Sequence, residues 1–149
     1  MEIAFYHLQN QTLERALPPL IEDWLAQGSR IVVQAGSEER LDALDEALWT
    51  YNDASFLPHG RARDGDAEMQ PVFLTTDAGN PNGAKLRVLF DGADVTGALG
   101  GDYERLILVF DGNDADQLQA ARAQWKRLKE QGLALSYWNQ GAHGWERRG

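Results

Sequence analysis

Short apolar runs alternate along this chain with longer stretches in which apolar residues recur every three or four positions. Ile3 to Leu8, Arg30 to Ala35, Pro71 to Thr75, Lys85 to Phe90, Arg105 to Phe110 and Leu133 to Trp138 are rich in β-branched and aromatic residues and predict strands. Ile31 to Val33 and Leu106 to Phe110 lack the alternation of a half-wet sheet, so they predict central strands covered on both faces. Helical stripes lie between them. Leu13, Leu17, Leu20, Ile21, Trp24 and Leu25 form one stripe ending at Gly28, within which Pro18 and Pro19 mark either a kink or the start of the regular part. Ser37 caps a second helix, with Glu38 and Glu39 in its first turn favouring the dipole and Leu41, Leu44 and Leu48 facing a core. A third begins near Asn113 or Asp114, carries Leu118, Ala121, Trp125 and Leu128 on one face, and stops at Gly132.

Strands alternating with helices predict an α/β layered fold, a mainly parallel central sheet flanked by helices. Asn80 to Gly83, reading NPNG between two strand candidates, predicts a hairpin and hence one antiparallel pair. The charged stretch Gly60 to Met69 predicts a mobile surface loop, and the final WERRG a short frayed tail apart from Trp145. With 149 residues and no linker or repeat, one domain over residues 1–149 is expected.

Charge and composition narrow the function. A formal net charge of −9 opposes extended direct contact with DNA, because such affinity comes from Lys and Arg neutralising phosphates. A local basic patch on such a molecule suits an acidic peptide better than a duplex. No cysteine is present, which removes disulfides, thiolate metal sites and Cys nucleophiles together. No apolar run approaches the roughly 18 residues of a membrane span, and MEIAFYHLQNQ reads as a first strand rather than a signal peptide, so a cytoplasmic location is expected.

Such a patch lies on the third helix. Arg122, Lys126 and Lys129 are spaced by four and three and share a face, with Arg127 nearby and Trp125 on the adjoining apolar stripe. That face is either a solvated outer surface with Trp125 in the core, or an anion site with an indole flooring an apolar pocket. Trp49, Phe56 and Leu57, left over from the second helix and the polar turn after it, either fold back on their own domain or wait for another protein.

Enzyme readings are weaker. The turn Ala35-Gly36-Ser37 is where α/β folds hold phosphate, but G-x-G-x-x-G and G-x-x-x-x-G-K-[ST] are both absent. The near-duplicates FDGAD and FDGND place Asp91, Asp94, Asp111 and Asp114 after strands. Mg²⁺ would collect there if they converged, as in a small Mg²⁺-dependent phosphate-handling enzyme, although turn and cap roles are the commoner use. His7, His59 and His143 lack metal-ligand spacing and form no Ser-His-Asp arrangement. No catalytic residue, metal ligand or cofactor is expected.

The segments FYHL from Phe5, LDEALW running to FLPHG, QPVFLTT from Gln70, and the Arg122 to Gly132 helix followed by LALSYW resemble, in order and spacing, the chi accessory subunit family of bacterial DNA polymerase III. The resemblance implies a Rossmann-like fold without a dinucleotide fingerprint and a non-catalytic part in DNA replication. It further implies that Arg122, Trp125 and Lys126, with Lys129 beside them, receive the acidic, Phe-ending C-terminal tail of single-stranded-DNA-binding protein. Trp125 stands where relatives can carry Tyr. Trp49, Phe56 and Leu57 would grip a psi-like subunit that links chi to the clamp loader. DNA would be reached only indirectly, and any polymerase activity would belong to the holoenzyme, since no motif here is assignable to nucleotidyl transfer.

Overall fold

A computed structural model of the chain describes residues 1–51, 58–141 and 144–148. Phe56, Leu57 and His143 lie outside them. Among the described residues eight strands form one sheet: β1 (Glu2–Leu8), β2 (Ile31–Ala35), β3 (Gly60–Arg61), β4 (Val72–Thr75), β5 (Leu86–Phe90), β6 (Arg105–Asp111), β7 (Ala134–Gly141) and β8 (Gly144–Arg147). Their spatial order is β3-β4-β2-β5-β6-β1-β7-β8, parallel throughout except for the antiparallel β7 and β8. The α-helices among the described residues are α1 (Leu13–Ala26), α2 (Glu38–Thr50) and α3 (Ala115–Glu130).

The right-handedness of parallel crossovers decides which face each connection covers. Chain segments travelling from β1 to β2, and from β2 towards β3, run one way across the sheet, and α1 and α2 both cover the first face. There Leu13, Leu17, Ile21, Leu41, Leu44 and Leu48 pack on Ala4, Ile31, Val33, Val88 and Ile107. Segments running the opposite way, from β4 to β5, β5 to β6 and β6 to β7, cover the second face, where α3 meets Ile3, Phe5, Leu106, Leu108 and Phe110 through Ala121 and Leu128. The unbroken apolar runs Ile31 to Val33 and Leu106 to Phe110 are therefore buried on both sides.

Four local expectations are corrected. Asn80 to Gly83 does not close a hairpin, because β4 and β5 are both parallel to β2 and lie on opposite sides of it. This turn instead inserts Asn82, 3% exposed, whose Nδ2 donates to the carbonyls of Ile31 (3.1 Å) and Gln70 (2.9 Å). The single antiparallel pair among the described strands lies at the C-terminal end, where the expected frayed tail adds β8 to β7. Within the expected loop from Gly60, Gly60–Arg61 pairs with β4, and the Arg61 side chain is buried against α2, hydrogen-bonded to Asp42 and, at 2.5 Å, to Glu38. Finally, α1 begins at Leu13 and runs through Pro18 and Pro19, so the prolines do not mark its start.

The β4 to β5 connection has no helix to bury, and a buried cation fixes it instead. Arg87 is fully buried, and each of its five N–H groups finds a neutral acceptor. Nε (3.0 Å) and Nη2 (2.6 Å) donate to Gln34 Oε1, Nη2 to the Asp77 carbonyl (2.6 Å), and Nη1 to the Gly79 carbonyl (3.0 Å) and the Tyr103 hydroxyl (2.9 Å). An unpaired buried guanidinium would be very costly, so the crossover backbone is held where its carbonyls meet that demand. Arg87→Met should lower unfolding free energy by about 3 kcal/mol, since each orphaned buried acceptor costs roughly 1–3 kcal/mol. Urea denaturation checks this, and a variant as stable as the parent would show that the guanidinium does not anchor the crossover.

Candidate functional site

Strand β1 lies between β6 and β7, with Phe5 in register with Leu108 and Tyr137, and His7 with Phe110 and Asn139. Phe5, Phe110 and Tyr137 thus converge on one face, under one edge of α3. Asp114 caps that helix, its Oδ1 accepting from the amides of Asp116 (3.0 Å) and Gln117 (3.2 Å). Ala121 and Leu128 are its buried line. One step round the helix, Trp125 is half-buried, its ring edge-on to Phe5 (5.2 Å) and Tyr137 (5.8 Å).

Against these rings lies a groove of about 340 Å³, lined by Phe5, Phe110, Leu118, Ala121, Trp125 and Tyr137, with Arg122 as its one charged lining residue. Arg122 is exposed and its field reaches both His7 and Tyr137. Burial raises the Tyr137 hydroxyl above its ordinary value, and Arg122 opposes that shift. Lys126 and Lys129 are exposed on the same helix but do not line the groove, and Arg127 turns to the other flank, toward Asp94 (3.6 Å) and Thr96 (3.1 Å). Chemically this is an aromatic slot with a cation at its mouth, suited to an apolar ring carrying a carboxylate. A second groove of about 350 Å³ flanks α3 on its other side, over Leu108 and Ala121, but its rim holds Asp91, Asp114 and Asp116 and would repel an anion.

Trp49 follows the buried Leu48 on α2 and is 60% exposed. Its ring lies edge-on to His59 at 4.9 Å, and buried His59 holds Asp45 at 2.9 Å. Asp45 also lies 3.7 Å from both Arg61 and Arg63, so ionic contacts to α2 fix the segment beneath the indole. The Arg61 hydrogen bond holds the Asp42 carboxyl below its usual value.

The strand-end aspartates have structural work. Asp91 accepts from Ser37 Oγ (3.0 Å), Asp94 from the Thr96 amide (2.8 Å) and Asp111 from the Asn113 amide (2.9 Å), while Asp114 caps α3. Among the described residues no group of three or more His, Asp or Glu is placed to hold a metal ion. Where the Ala35-Gly36-Ser37 turn would cradle phosphate, Ser37 faces the Asp91 carboxylate, and a Cβ on Gly36 would come within 1.7 Å of the Asp91 carbonyl oxygen.

Sequence reasoning singled out Arg122 and Trp125 but missed Phe5, Phe110, Leu118 and Tyr137 as walls. Leu118 carries only the signal of an apolar helix stripe, and period-2 alternation puts Phe5 and His7 on one face of β1. That β6 and β7 bring further rings to the same face depends on strand order.

Residues 1–136 match the family described as "DNA polymerase III chi subunit, HolC". A similar protein, the "Probable DNA polymerase III subunit chi" of Rickettsia prowazekii (strain Madrid E), is 29% identical over 94 residues, which cover 63% of this chain and 57% of that protein. The match thus spans little more than half of the relative's length. Both descriptions name a subunit of DNA polymerase III. With the match running over 136 of 149 residues on an α/β frame of largely parallel strands, the chain belongs to the DNA polymerase III chi subunit family.

Proposed function

We propose that this chain is a cytoplasmic replication adaptor, a single domain whose α3 groove receives the acidic, Phe-ending C-terminal tail of single-stranded-DNA-binding protein and whose Trp49 surface holds a psi-like clamp-loader subunit. The observation that carries the reading is the groove itself, four aromatic rings with Arg122 at the mouth on a molecule of net charge −9. Arg122 meets the terminal carboxylate, and the terminal ring enters the groove that Phe5, Trp125 and Tyr137 line. Lys126 and Lys129, one and two turns further along α3, attract the acidic residues that precede the ring. Family membership supports a place in the replication complex, and the exposed indole of Trp49, with Phe56 and Leu57 following in the chain, supports an anchor for a second partner. DNA contact is indirect, through the partners. Among the described residues no helix is long and apolar enough to cross a membrane.

Fluorescence anisotropy with a labelled tail peptide ending in Asp-Phe, against a scrambled control, tests the groove. Arg122→Ala should weaken binding about tenfold or more, since hydrogen bonds to charged groups contribute roughly 1.5–3 kcal/mol. Lys126→Ala should cost less, and affinity should fall as salt rises, because the exposed charges are screened. Affinity untouched by Arg122→Ala would remove the groove from the mechanism.

Trp49→Ala should weaken association with a psi-like subunit about 30-fold or more, the size expected of a buried aromatic anchor, while leaving tail-peptide affinity and urea stability near the parent values. Size-exclusion or calorimetric titration with the partner reads this out. Loss of fold in the variant would instead return Trp49 to an internal structural role.

A further inference from the structure

One hydrogen bond in the groove wall has no part in the reading above. His7 projects from β1 on the same face as Phe5, and its Nδ1 lies 2.5 Å from the Tyr137 hydroxyl on β7. The imidazole is held tightly. It stacks on Phe110 with ring centroids 4.9 Å apart, and a Cβ on Gly112 would come within 1.6 Å of its Nε2, so the ring occupies space that only glycine leaves open. Three charged or titratable groups face it from the elements packed around it: Tyr137 from β7, Asp111 from β6 and Arg122 from α3. Burial and then the Arg122 charge hold the imidazole below the ordinary histidine value, against a smaller upward pull from Asp111.

We propose that His7 and Tyr137 are proton-linked positioning residues of this groove, so that a carboxylate docked at Arg122 draws a proton onto His7 and gains the Tyr137 hydroxyl as a second donor. When Nδ1 is bare, the Tyr137 hydroxyl donates its only hydrogen to it and presents the groove with an acceptor, which an incoming carboxylate meets with repulsion. When Nδ1 is protonated it donates to Tyr137 Oη, and the hydroxyl hydrogen is released toward the ligand. The charges act in the same direction for either neutral tautomer. Arg122 disfavours a proton on His7 while the groove is open, and a carboxylate neutralising Arg122 removes that penalty. The histidine therefore titrates at higher pH in the complex than in the free protein, binding takes up a proton, and affinity rises as pH falls between the two. This deepens the tail reading and rests on it.

The test measures the Kd of the Asp-Phe-ending peptide by anisotropy from about pH 8 to about pH 5, because His7 in the free protein titrates below the ordinary histidine value while the peptide carboxylates stay largely ionised over that range. Imidazole NMR titrations with and without peptide are run alongside. The parent protein should bind several-fold more tightly at the lower pH, up to about tenfold for each unit by which the ligand moves His7, and the His7 resonance should titrate at higher pH in the complex. Tyr137→Phe keeps the aromatic wall and should show a shallower pH profile than the parent, falling behind it most at the acid end of the range, whereas His7→Leu should bind with a flat profile. Should His7→Leu fail to fold, the Tyr137→Phe profile and the NMR titration of the parent decide the matter. Peptide binding with no pH slope and an unmoved His7 would overturn the linkage and leave the groove standing. No binding at any pH would overturn the groove reading itself.

Discussion

The handedness of the crossover connection is the constraint from which this molecule's working surfaces follow. Because parallel strands are joined in one rotational sense, the direction in which the chain crosses the sheet fixes the face that each connection covers. Once β2 has formed at a distance from β1, α1 and α2 must share one face, and the returns to β5, β6 and β7 must share the other. Helix α3 then lies over the trio β6-β1-β7, and its edge meets Phe5, Phe110 and Tyr137, one ring from each strand. The aromatic slot is a consequence of topology before it is a consequence of any single side chain.

Charge is distributed by the same geometry. Parallel strands end at one rim of the sheet, the helices that follow begin there, and helix N-termini favour carboxylates as caps and first-turn residues. Asp91, Asp94, Asp111, Asp114, Glu38 and Glu39 accordingly gather at that rim. This is where many layered α/β proteins hold a phosphate, and here the capping carboxylates oppose it. Basic residues are displaced to the outer flank and last turns of α3, as Arg122, Lys126 and Lys129. The result is a molecule with a net charge of −9 in which the grooves on either flank of α3 differ in sign.

Buried polar contacts fix what the helices do not. Arg87 on β5 binds the carbonyls of a helix-free crossover, and Arg61 joins the edge strand β3 to the acidic face of α2 beneath Trp49. In both places a guanidinium fork orders irregular backbone through several directional contacts, which an apolar side chain of equal size cannot do.

Periodicity alone was enough to place α2 and α3, to mark β2 and β6 as central strands, and to put Arg122, Lys126 and Lys129 beside Trp125 on one helix, because side-chain direction within an element repeats with its backbone geometry. Order and spacing of the FYHL, LDEALW, QPVFLTT and LALSYW segments likewise carried the family resemblance. Non-local pairing was beyond such local signals. NPNG has the composition of a hairpin turn, yet β2 separates the strands it joins, and the last residues pair with β7 because an open sheet edge was available to them. His7 and Tyr137, 130 residues apart in the chain, meet only because β1 and β7 are neighbours in the sheet. The chain's own pattern thus determined which residues share a helix face or a strand face. Tertiary structure decided which faces meet, since strand order is a property of the whole packed sheet and no local repeat encodes it.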